Sequence, residues 1–86
     1  MSFCLAHGVL TQKLGSELVL LHVPKGQYFE LNDTGATVLA AILAGADEAS
    51  AAAQLSQRFE VDLIRAQADV SALVRNLTDR ALLLSQ

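Results

Sequence analysis

Cys4-x-x-His7, with His22 further along, sets a thiol and two imidazoles within a short span, and these are the ligand types that zinc prefers. Three candidates with no fourth Cys or His fall short of the closed four-ligand sets of structural zinc, so no metal is expected. Nucleophilic catalysis would need Cys4 or a serine beside a base that a third group orients. Ser16, Ser50, Ser56 and Ser71 fall instead at turns and on helix surfaces, and the acids stand where helix caps are needed. The sequence carries no glycine-rich phosphate loop, no His-Glu metalloprotease spacing and no framed pair of carboxylates. With neither nucleophile, metal nor cofactor motif to build on, the expectation is a protein that is not an enzyme, with no catalytic residue and no cofactor.

Recognition chemistry has two candidate places. Arg65, Arg75 and Asn76 share one side of a helical segment and could read base edges as a winged-helix DNA-binding protein does. That side also carries Ala68 and Ala72, Asp69 stands beside it, and Asp62 and Asp79 would repel phosphate, so no nucleic-acid partner is expected. The other place is Gln27-Tyr28-Phe29-Glu30-Leu31, where two adjacent aromatics on an edge strand must point to opposite faces. One enters the core and the other does not. The outward one either covers a neighbour at the sheet margin or anchors a partner strand, since strand addition is a common way for a small domain to hold an extended peptide.

These residues must be positioned by one small domain, residues 1–86, in a chain whose hydrophobic fraction is 52% and charged fraction 17%. Its net charge of −3 removes the bulk attraction to phosphate on which non-specific nucleic-acid binding relies. A single cysteine cannot form an internal disulfide, no run reaches the ~20 apolar residues of a membrane span, and the first eight residues lack the basic start of a secretory signal. A cytoplasmic protein without a membrane partner follows as the expectation, with residues 1–8 a poorly ordered N-terminus.

The first third reads as strands near 9–14, 18–23 and 27–31. Gly15-Ser16 supplies a two-residue turn and Pro24-Lys25-Gly26 a second. Leu18-Val19-Leu20-Leu21-His22-Val23 is apolar on both faces apart from His22, the pattern of a central strand covered on both sides. At Asn32 the period changes. Asn32 and Asp47 cap helices near 33–43 and 48–59, and Asp62 caps a third near 63–77, whose Ala66, Val70, Leu73, Val74 and Leu77 form an apolar stripe. Ala81-Leu82-Leu83-Leu84 can dock as a strand or a last turn. Strands followed by helices predict an α+β fold, a three-stranded antiparallel sheet with three helices on one face, winged helix-turn-helix-like in its arrangement.

Gly26-Gln27-Tyr28-Phe29-Glu30-Leu31-Asn32-Asp33-Thr34-Gly35, the Phe59-Glu60-Val61-Asp62 junction and the Asp69-Val70-x-x-Leu73-Val74-x-x-Leu77 stripe resemble the PqqD family. That family supplies the RiPP recognition element, which binds the leader segment of a ribosomally made precursor peptide. The resemblance runs from about Val9 to Leu84, and it departs at Ala81-Leu82-Leu83, where the family often has Gly-Leu-Leu. It implies a peptide-binding site of Gln27, Tyr28, Phe29, Glu30, Asp69, Val70, Leu73 and Val74, in which the leader pairs antiparallel with the Gln27–Glu30 edge and rests apolar side chains against the third helix. Glu30 and Asp69 would suit a leader carrying Lys or Arg, and a Tyr-x-x-Pro motif would fill the apolar part. The implied partners are the precursor leader peptide, a leader peptidase and a lasso cyclase. The alternative within the family is the peptide chaperone of a radical-SAM enzyme.

Overall fold

Residues 2–86 are described by a computed structural model. The order is β1 (Phe3–Leu5), β2 (Val9–Leu14), β3 (Glu17–His22), a 3-10 turn over Val23–Lys25, β4 (Gln27–Leu31), α1 (Asp33–Leu43), α2 (Glu48–Phe59), α3 (Leu63–Asp79) and β5 (Leu83–Ser85). β2, β3 and β4 make an antiparallel meander in that spatial order, so β4 is an edge, and β1 pairs antiparallel with β5 in a separate two-stranded ribbon. The α+β class and the arrangement of three strands followed by three helices agree with the sequence reading.

The turns follow from backbone chemistry. Gly15 has φ 63° and takes the left-handed corner of the β2–β3 hairpin. Pro24 fixes the first residues of the 3-10 turn, and Gly26 ends it at φ 61° and ψ 28°, feeding the chain into β4. At the period change, Asn32 accepts a hydrogen bond from the Gly35 amide at 2.9 Å and one from the Thr34 hydroxyl at 2.8 Å, which starts α1. Asp47 starts α2 by accepting from the Ser50 amide at 2.7 Å, and this bond holds its carboxyl below the ordinary aspartate range. Asp62 stands at the N-cap position of α3 but makes no cap bond with its side chain; its carbonyl accepts from the Ala66 amide and closes the first turn.

Leu20, Leu39, Ile42, Leu55, Val70, Leu77 and Leu83 are the largest fully buried side chains, and they join the inner face of the sheet to all three helices. α1 packs on β3, β4 and β1, α2 lies between α1 and α3, and α3 packs on α2 and β5. α3 extends two residues beyond the expected stripe, to Asp79.

Two expectations are corrected. The loose N-terminus gives way to β1: Phe3 and Leu5 pack partly buried against the core and pair with Ser85 and Leu83, while Met1 lies outside the described residues. Two three-residue strands that meet across the length of the chain leave no local pattern to read. β3 is covered on one face only. Leu20 and His22 are buried inward, whereas Leu21, across from Leu10 on β2 and Tyr28 on β4, lies in an exposed apolar row on the outer face. The unbroken apolar run reflects that outer row and not a second covering layer.

Candidate functional site

β4 alternates as its sequence requires. Leu31 and Phe29 turn to the helical side, Leu31 buried and Phe29 partly so, and Tyr28 turns outward at 67% exposure. Phe29 is thus the aromatic that faces the helices. Its ring is covered by the Arg80 guanidinium, whose carbon stands 4.8 Å from the ring centroid.

α3 packs on α2 and β5, while β4 packs on β3 and α1. Between the N-terminal half of α3 and the end of β4 lies a groove of about 580 Å³. Glu17, Glu30 and Leu31 wall it from the sheet, Asn32, Thr34, Gly35 and Val38 from α1, Leu55 from α2, and Arg65, Asp69 and Leu73 from α3. A second, much smaller hollow is lined by Gln27, Tyr28, Phe29, Arg80 and Leu82. The two concavities lie at opposite ends of the same strand.

The eight residues singled out from sequence therefore separate into three sets. Glu30, Asp69 and Leu73 meet in the large groove. Gln27, Tyr28 and Phe29 line the small hollow along the other end of the β4 edge. Val70 is fully buried and Val74 nearly so, and both belong to the core beneath the α3 wall. A stripe of five apolar residues shows which side of a helix is buried, but not which member stands at its rim.

Glu17, Arg65 and Arg80 are absent from that sequence-derived set. Glu17 starts β3 beside the end of β4 and reaches the groove only through the hairpin register that sets Leu18 against Leu31. Arg65 lines the groove and stands 3.9 Å from Asp69 one turn on, rather than on a free base-reading face. This exposed pair is worth little energetically. Arg80 had no signal in the sequence, because its contact with Phe29 depends on the docking of the α3 terminus.

Chemically, the site offers an unpaired strand edge, a recess with apolar patches and carboxylates, and no assembly for bond-making. Cys4 is half-buried on β1 and His7 is exposed. Among the described residues no group of three or more His, Cys, Asp or Glu side chains is placed to hold a metal ion. Among the described residues no helix is long and apolar enough to cross a membrane.

Residues 17–83 match the family described as Coenzyme PQQ synthesis protein D (PqqD). Among solved structures, the chain is similar to one of a lasso peptide synthetase B1 complexed with the leader peptide. That likeness has a TM-score of 0.91 and 30% identity over 99% of this chain and 100% of that one. It also shares its fold with a chain from TbiB1 in complex with the TbiA(beta) leader peptide, with a TM-score of 0.85 and 23% identity over 100% of this chain and 98% of the other. No curated protein matches the sequence.

Proposed function

This chain belongs to the PqqD family, and from that premise we propose that it is a recognition protein, not an enzyme, that captures the leader of a ribosomally made precursor peptide by strand addition. The observation that carries the proposal is the free edge of β4 running between two recesses, with α3 as the facing wall. Backbone hydrogen bonds along Gln27–Glu30 hold an extended peptide whatever its sequence, and the recesses read alternate side chains. Those turned toward the helices meet Phe29 and Leu73; those turned outward lie beside Tyr28 and prolong the row of Leu10 and Leu21. Val70 and Val74 act from below, fixing the height of the α3 wall.

The likeness to a lasso peptide synthetase B1 over nearly the whole of both chains supports a place in a lasso-peptide pathway, where the captured leader is presented to a leader peptidase and a cyclase in the cytoplasm. The match to the family described as Coenzyme PQQ synthesis protein D supports a second reading, a chaperone that delivers its peptide to a radical-SAM enzyme. A neighbouring gene for a peptidase or for a radical-SAM protein separates the two.

Fluorescence anisotropy with a labelled leader peptide containing Tyr-x-x-Pro tests the binding. Saturable binding is expected, and replacing the peptide Tyr by Ala should weaken it by ~1–3 kcal/mol if the ring is an anchor. Tight, sequence-dependent binding to duplex DNA that falls steeply with salt, with no binding of the peptide, would overturn the proposal.

A further inference from the structure

The two ends of the β4 edge carry opposite charge. Beside Glu30 the groove is lined by three acidic residues, Glu17, Glu30 and Asp69, against the single cation of Arg65, which lies 3.9 Å from Asp69. Beside Gln27 the hollow holds one charged side chain, Arg80. Arg80 is held on two sides: its guanidinium lies over the Phe29 ring, and its Nε donates to Asn76 Oδ1 at 3.0 Å. Its Nη groups form no ion pair among the described residues. Asp79, Lys25 and Glu30, the charged residues near the lining positions in sequence, are exposed and do not line the hollow. A guanidinium held in place with its outer fork free is suited to a carboxylate, which it can grip with two parallel hydrogen bonds.

Building on the strand-addition reading above, the geometry points to a charge-polar peptide, with a cationic side chain held among Glu17, Glu30 and Asp69 and a carboxylate held by Arg80. The order of those charges follows from the sheet. β2, β3 and β4 pair antiparallel throughout, and a fourth strand pairs best in the same sense. A peptide antiparallel to β4 enters at the Glu30 end and leaves at the Gln27 end, so its cation precedes its carboxylate. Along β4, Glu30 and Gln27 are three residues apart, about 10 Å at ~3.4 Å each, so the peptide side chains across from them turn to opposite faces, the cation at the acidic groove and the carboxylate toward Arg80. Arg80 is then the specificity-determining residue of the downstream end.

The probes are two synthetic peptides of identical composition built around Tyr-x-x-Pro, one with Lys before and Glu after the apolar core and one with those residues exchanged. Binding to the intact protein is measured by anisotropy at low and high salt. The Lys-first peptide should bind about tenfold more tightly at low salt, with a smaller margin at high salt. Arg80→Glu should remove or invert the preference. Arg80→Gln, which loses the charge but can still donate to Asn76, should shrink it without inversion and serves if the first variant melts early. Equal binding of both peptides to the wild type, or a preference untouched by either variant, overturns the charge-polar assignment while leaving strand addition standing. Failure of both peptides to bind overturns the strand-addition reading itself, and the assignment with it.

Discussion

Phe29 on β4 stands directly across the ladder from Leu20 on β3, which is fully buried, while the next pair, Tyr28 and Leu21, stands on the opposite face with Leu21 40% exposed. Neighbours in sequence are therefore unequal in energy. Phe29→Ala should destabilise the fold by about 1–3 kcal/mol, less than for a fully buried ring because Phe29 is only partly buried. Tyr28→Ala should stay within about 0.5 kcal/mol of wild type. Urea denaturation of the two variants makes the comparison, and equal losses would contradict the assigned faces.

Ala81 takes φ 59°, a left-handed conformation that costs a residue with a Cβ about 1 kcal/mol. It stands just past the end of α3, where the Leu82 amide donates to the Leu77 carbonyl at 2.9 Å to close the helix terminus. Ala81→Gly should raise stability by roughly 0.5–1 kcal/mol, because glycine adopts this backbone without strain. A lower melting temperature for this variant would show that the Ala81 methyl contributes more than its strain costs.

Gly8, at φ 86°, faces Pro24 so closely that an added Cβ would lie 2.8 Å from the proline Cδ. Gly15, at φ 63°, has open space around it. Gly8→Ala should therefore destabilise by more than ~1 kcal/mol and by more than Gly15→Ala, which meets backbone strain alone. Thermal melts of the pair check the order.

The Asp47 carboxylate accepts from the Ser50 amide and has a lowered pKa. A group whose folded pKa is depressed adds stability above its unfolded pKa and loses it as pH falls through the folded value. Asp47→Asn can still cap the helix but cannot titrate, so its deficit relative to wild type should be present at neutral pH and shrink below the ordinary aspartate range. A deficit that does not change with pH would remove the charge from the account.

Removing residues 1–5 should expose the β5 edge and cost about 1.5–3 kcal/mol, taking roughly half of the full-burial value for each of Phe3 and Leu5. Chemical denaturation of the shortened chain is the check.

Much of this architecture was legible because its signals are local. Asn32 marks the switch from strand to helix with its own side chain, Gly15 and Gly26 mark turns, and the alternation at Tyr28 and Phe29 requires opposite faces. The β1–β5 ribbon was not legible, since Phe3 and Ser85 meet only after the whole chain has folded. The site divides in the same way. Glu30, Asp69 and Leu73 could be named from motif and stripe, but Glu17 and Arg80 reach the β4 edge through the hairpin register and the α3 terminus, which no short window contains. Val70 and Val74 entered the implied peptide site through the family resemblance, and the packing of α3 places both in the core.

The central claim, strand addition at β4, is tested most directly by residue-resolved hydrogen exchange and amide chemical shifts of the intact protein during titration with a Tyr-x-x-Pro leader peptide. The account predicts slowed exchange at outward-pointing amides within Gln27–Glu30, together with shifts at Asp69 and Leu73. Protection confined to β2, or shifts centred on α2 with the β4 amides exchanging as before, would contradict it.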